Sequence, residues 1–174
     1  MLITILRLSL FAALYLAISM RGVNAQVTVT GQVFAEVVEV ITATETSQLN
    51  FGRFSPGSQG GEIIITPDGN ISTTGTVVMS GGVHNAATFN ITGEEGATFS
   101  VTLPAGPVTL NHINDAKTMV VDTWVSDPSQ GMWIDLSDHG SKVVKVGATL
   151  EVGIRNDNPV GLYSGSYSIT FAYN

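Results

Sequence analysis

The segment from Tyr163 to Tyr173 alternates so strictly that it admits only one kind of backbone. Its odd positions carry Tyr163, Gly165, Tyr167, Ile169, Phe171 and Tyr173, while the even positions from Ser164 to Thr170 are all hydroxylated. A period of two sorts side chains onto two faces only along a β-strand. The reading is a half-buried closing strand with Tyr163, Tyr167, Ile169, Phe171 and Tyr173 toward a core and Ser166, Ser168 and Thr170 away from it. No charge or proline interrupts it, so its aromatic face needs a covering sheet and its backbone needs a pairing edge. Such a strand either closes a sandwich or waits for a partner.

The other end of the chain has a different order. Arg7 precedes the apolar run Leu8 to Met20, and Val23-Asn24-Ala25 supplies small residues of the type a signal peptidase prefers. Residues 1–25 are therefore expected to be a cleaved export signal, leaving a single domain over 26–174 that no longer touches the membrane. An uncleaved anchor is the alternative, since Leu2 to Met20 is nearly long enough to span a bilayer. With the signal cleaved, export through the inner membrane to the periplasm, then to the cell surface or the exterior, is the expected route.

Removal of residues 1–25 takes away two of the seven basic residues, Arg7 and Arg21, and none of the fourteen acidic ones. Five basic residues then face fourteen acids, and a nucleic-acid partner is excluded because a phosphate-binding surface needs clustered Lys and Arg. There is no cysteine, which removes thiol catalysis, thiolate zinc sites and disulfides. A domain of this length buries enough surface to stand on packing alone, and an exported chain without disulfides suits a bacterial envelope.

The pattern between the two ends is β throughout. Val27, Val29, Gly31, Val33, Ala35 and Val37 share one face, after which the pattern slips to Val38 and Val40; a slip of one residue inverts the face and marks a bulge or a change of sheet. Leu49 to Phe54 reads as a short aromatic strand. Glu62 to Thr66 reads as another, turned by Pro67-Asp68-Gly69-Asn70 into a return strand running from Ile71 to Met79. Phe89 to Ile91 and Phe99 to Leu103 flank the turn Gly93 to Gly96, and further short strands follow at 108–110, 119–125, 132–136, 143–146 and 150–154. Nine to eleven short strands separated by Gly, Pro, Asn and Asp point to an all-β antiparallel sandwich, with an up-and-down barrel as its competitor.

Chemistry-bearing patterns are sparse. His84, His112 and His139 sit on turn-rich stretches without metal-ligand spacing. Gly57 to Gly61 lacks the lysine and following helix of a phosphate loop. Asn156-Asp157-Asn158 lacks the distal glutamate of a calcium loop. Four acids, Asp122, Asp127, Asp135 and Asp138, crowd around Trp124 and Trp133. An aromatic pair among acids suits a sugar, although Asp127 before Pro128 and Asp138 before His139-Gly140 occupy ordinary turn positions. No catalytic residue, metal or cofactor is expected, and the chain is not read as an enzyme.

Three pieces of the sequence together resemble a known family: Leu49-Asn50-Phe51-Gly52, then Phe89-Asn90-Ile91-Thr92-Gly93 with Val101-Thr102-Leu103-Pro104, and Gly147-Ala148-Thr149-Leu150 followed by Gly161-Leu162-Tyr163-Ser164-Gly165 and the closing strand. They resemble the bacterial domain-of-unknown-function family 4402, itself similar to spore coat protein U and to archaic chaperone–usher pilins. The resemblance implies an immunoglobulin-like, pilin-type sandwich assembled on the cell surface from like subunits, with a periplasmic chaperone and an outer-membrane usher as partners. It also implies donor-strand complementation, in which Val27, Val29, Gly31, Val33, Ala35 and Val37 would enter a neighbouring subunit. Gln26 to Ile41 would then have to supply both the donor and the domain's first strand, from sixteen residues reaching about 53 Å when extended. A self-complete secreted carbohydrate-binding module, using Trp124 and Trp133, is the alternative.

Overall fold

The computed structural model describes residues 26–174; the expected export signal, residues 1–25, lies outside them. The described chain is all-β, with thirteen strands, every pairing antiparallel, and no helix. They are β1 (Thr42–Ser47), β2 (Phe54–Ser55), β3 (Gly61–Ile65), β4 (Ile71–Thr73), β5 (Val78–Met79), β6 (Ala87–Thr92), β7 (Thr98–Thr102), β8 (Val108–His112), β9 (Thr118–Asp127), β10 (Ile134–Asp135), β11 (Ser141–Val152), β12 (Tyr163–Ser164) and β13 (Thr170–Tyr173).

Eight strands form one sheet in the order β1-β6-β11-β9-β8-β12, with the β3–β4 hairpin also joined to β11. A second sheet has the order β10-β7-β13, and β2 pairs with β5 in a third. The hub is β11. Its first half, to Val146, pairs with β6; its second half, from Ala148, pairs with β3; and β9 runs along its other side.

The sequence pattern divides this stretch in two at Gly147, yet the strand continues through it. A Cβ on Gly147 would stand 2.1 Å from the carbonyl oxygen of Ile65, so the glycine serves close backbone approach rather than a turn. The opposite occurs over 71–79, where one return strand is expected and two are found. Gly75, at φ +67°, turns the chain between β4 and β5 and packs against the backbone of Gly60 and Gly61. The expected aromatic strand at 49–54 is likewise reduced, since only Phe54 enters a ladder strand, paired with Met79.

Two buried clusters hold the sheets. One gathers Phe51, Ile63, Ile65, Val77, Met119, Val121, Ala148, Leu150 and Val152. The other joins the large sheet to the three-stranded one through Ala87, Ile91, Phe99, Val101, Ile134, Leu136, Val144 and Val146. Trp124 and Leu49 touch both. Burying a side chain of this size contributes about 1.5–3 kcal/mol each, which is how a chain without disulfides holds its layers.

Candidate functional site

The stretch from Tyr163 to Tyr173 is divided between two sheets. Tyr163 and Ser164 pair with His112 and Asn111 at the edge of the large sheet, whereas Thr170 to Tyr173 pair with Thr102 to Phe99 in the small one. Between them, residues 166–169 belong to no ladder and make no backbone–backbone hydrogen bond among the described residues. Burial nevertheless alternates along the stretch, except at the exposed Gly165. Tyr163, Tyr167, Ile169, Phe171 and Tyr173 are half-buried, and the even-numbered residues from Ser164 to Asn174 are exposed. Tyr167, Ile169, Phe171 and Tyr173 pack against the second cluster, with the Phe171 ring centroid 5.7 Å from Phe89 and 6.3 Å from Phe99. Residues 166–169 thus seat Tyr167 and Ile169 on the core while their backbone polar groups have no ladder partner among the described residues.

Across from it lies β1, which among the described residues pairs only with β6. Glu45 is in register with Phe89, and Ala43 with the fully buried Ile91. Residues directly opposite in an antiparallel ladder share a face, so Ala43 and Glu45 stand on the core-facing side of the sheet, yet both are exposed. A charge on the inner face of an edge strand discourages uncontrolled pairing at that edge. The Tyr167 hydroxyl donates to Glu45 Oε1 across 3.5 Å. Burial, and next the Glu45 charge, hold the Tyr167 phenol well above its ordinary pKa. The flank between β1 and the closing segment is therefore a seam: apolar beneath, unpaired in backbone, and bridged by this hydrogen bond.

Its floor is set by a distortion in β9. The register with β11 shifts between Gly147/Val125 and Thr149/Asp122, so Thr123 and Trp124 together oppose the single residue Ala148. Thr123 adopts φ 51°, an outlier for a β-branched residue that costs about 1–3 kcal/mol. A bulge of this kind re-aims a side chain; here Trp124 reaches both clusters and packs on Tyr167, ring centroids 4.8 Å apart. Its buried Nε1 has no hydrogen-bond partner among the described residues.

Trp133 is placed differently, 74% exposed on the loop before β10. The four acids that flank the tryptophans in sequence go to separate tasks. Asp122 accepts from the Thr123 amide at 2.6 Å, Asp127 pairs with Lys145 at the end of β9, Asp138 contacts His139 on an exposed turn, and Asp135 pairs with Thr98 in β10. His112 is committed to loops: Nδ1 accepts from the Asn114 amide at 3.1 Å and Nε2 lies 3.2 Å from the Val160 carbonyl oxygen. Asn158 is buried and staples its turn, accepting from the Gly153 amide and donating to the Thr118 carbonyl. Among the described residues no group of three or more His, Asp or Glu side chains gathers in a metal-binding arrangement.

The segment 26–41 contains no strand. Val27, Val29, Val33 and Val37 are all more than four-fifths exposed, Gly31 and Ala35 are exposed too, and the space around Gly31 is open. Because β1 begins at Thr42, the domain's first strand draws on none of these residues.

Residues 41–173 match the family model described as Domain of unknown function (DUF4402). The chain belongs to this family. The match starts one residue before β1 and ends on the last residue of β13, so it spans both sides of the seam. No curated protein and no solved structure matches the chain.

Proposed function

We propose that this DUF4402 protein is an exported structural subunit of a fimbria-like cell-surface assembly, joined to its neighbours by strand addition at the seam. The observation that carries the reading is the unpaired run 166–169, which seats Tyr167 and Ile169 on the core while its backbone lacks a ladder, opposite an edge strand with an exposed inner face. On this reading the two main sheets are an immunoglobulin-like, pilin-type sandwich lacking one strand.

The occupant is the segment Gln26 to Val37 of a second copy. Twelve residues extend to about 40 Å, against about 36 Å for the eleven from Tyr163 to Tyr173. The incoming strand would supply backbone hydrogen bonds along the seam, and Val27, Val29, Val33, Ala35 and Val37 would cover the half-buried aromatic side chains. Gly31 would pass the most crowded point. Before assembly the same seam needs a temporary cover, for which a periplasmic chaperone is the fitting partner, with an outer-membrane usher for delivery.

The test is a form of the chain that starts at Val38, mixed with a peptide of Gln26 to Val37. The peptide binds and the truncated subunit caps growth of full-length polymer; a stable monomer that takes up no peptide at high concentration overturns the proposal.

A further inference from the structure

Two Asn-X-Ser/Thr tripeptides occur in the chain, Asn70-Ile71-Ser72 and Asn90-Ile91-Thr92. The pattern presents a side-chain amide to an oligosaccharyltransferase when it sits on an accessible loop of an exported protein. The fold separates the two. Asn90 lies within β6, paired on one side with Thr44 of β1 and on the other with Val143 of β11. It is half-buried, its Oδ1 accepts from Ser141 Oγ at 3.1 Å, and the following Ile91 is fully buried. Bringing this amide into an enzyme's active site means pulling a central strand out of the large sheet.

Asn70 occupies the opposite kind of position. It closes the β3–β4 turn, where the Gly69 amide donates to the Thr66 carbonyl at 2.8 Å and the Thr66 amide to the Asn70 carbonyl at 3.0 Å. Asn70 and Ser72 are both exposed, and the strand that follows is a three-residue edge that among the described residues pairs only with β3. Peeling back such an edge disturbs one short ladder. Two residues earlier stands Asp68, exposed, whose carboxylate accepts from Asn70 Nδ2 and from Thr66 Oγ1. Asn90 has Thr88 at the corresponding place. An enzyme with a basic side chain next to its acceptor groove would grip Asp68 through a charge-assisted hydrogen bond and find no such handle beside Asn90.

We propose that Asn70 is an N-glycosylation site served by a lipid-linked saccharide, and that folding shields Asn90. Asn70 Nδ2 attacks the anomeric carbon of a polyprenyl-diphosphate-linked sugar. The bond from that carbon to the diphosphate oxygen breaks, its electron pair leaves on the polyprenyl diphosphate, and one amide proton passes to a base of the transferase. The product is an N-glycosylated asparagine, with no change of oxidation state. The proposal rests on export of the chain and is independent of strand addition.

The experiment uses the purified, folded full chain, a purified oligosaccharyltransferase and a polyprenyl-diphosphate-linked oligosaccharide, so its outcome does not depend on export or polymerisation. Intact mass and peptide mapping read the result. One saccharide is expected, on the peptide that contains Asn70. It disappears in Asn70→Gln and in Ser72→Ala, persists in Asn90→Gln, and transfers about tenfold more slowly in Asp68→Asn, the scale of one charge-assisted hydrogen bond. Thermal melting confirms that each variant is folded. No transfer to the folded chain while a control acceptor peptide is glycosylated, transfer mapped to Asn90, or transfer that survives Asn70→Gln overturns the proposal.

Discussion

Truncating Phe171 to Ala separates an open seam from a closed one, because the two cases distribute the same ring's burial differently. Complete removal of a fully buried Phe side chain costs about 3–5 kcal/mol. Phe171 is mostly but not fully buried in the subunit, against Phe89 and Phe99, so scaling by area lowers the cost to about 2–4 kcal/mol, aromatic pairing included. The smaller, exposed part of the ring is what an incoming strand would cover. That leaves about 1–1.5 kcal/mol to be lost from strand binding, roughly a tenfold weaker Kd for the Gln26 to Val37 peptide. Urea unfolding of the form starting at Val38 measures the first quantity and a peptide titration the second. Ser168→Ala, on the exposed face, serves as the control and stays within about 0.5 kcal/mol. If Phe171→Ala leaves peptide affinity unchanged, the ring is already covered in the free subunit and strand addition at this flank is wrong.

Gly147→Ala should destabilise the fold by about 1–3 kcal/mol or more, because its methyl would meet the Ile65 carbonyl oxygen at 2.1 Å; an unchanged urea midpoint would show that β3 and β11 are not so closely apposed. Tyr167 titrates at a higher pH in the folded chain than its ordinary value of 10.0, so the folded state retains a proton that the unfolded state gives up. Its contribution is fully present below about pH 10 and is lost as pH rises toward the folded pKa. Tyr167→Phe should therefore flatten the fall in stability above pH 10, with Tyr163, also raised by burial, leaving a residual slope; denaturant midpoints across that range give the check. Trp133→Ala should change stability by less than about 0.5 kcal/mol, since the ring is largely exposed. Polysaccharide affinity electrophoresis should show no retardation of either form, and retardation abolished by this substitution would favour the carbohydrate-binding alternative.

The alternation at 163–173 was legible because burial with period two is a local property: each side chain's face follows from its own position along the chain. The all-β class follows in the same way from short apolar runs broken by Gly, Pro, Asn and Asp, and the turn at Asp68-Gly69 from the conformation glycine permits there. The sequence did not reveal that one alternating run serves two sheets. Tyr163 pairs with His112 and Phe171 with Val101, and the choice of edge depends on where β7 and β8 lie, which no residue between 163 and 173 encodes. In sequence Gly147 reads as a break and Gly75 as the interior of a strand, yet the first continues a strand against a neighbouring carbonyl and the second turns the chain. Glu45 passes for an ordinary exposed acid until its register with Phe89 places it on the inner face. Trp124 belongs under Tyr167 only because Thr123 accepts a left-handed backbone and inserts one extra residue opposite Ala148. Local periodicity decides which side of a strand is apolar; pairing partners, register and bulges arise between segments far apart in the chain, and so the seam exists only in the tertiary structure.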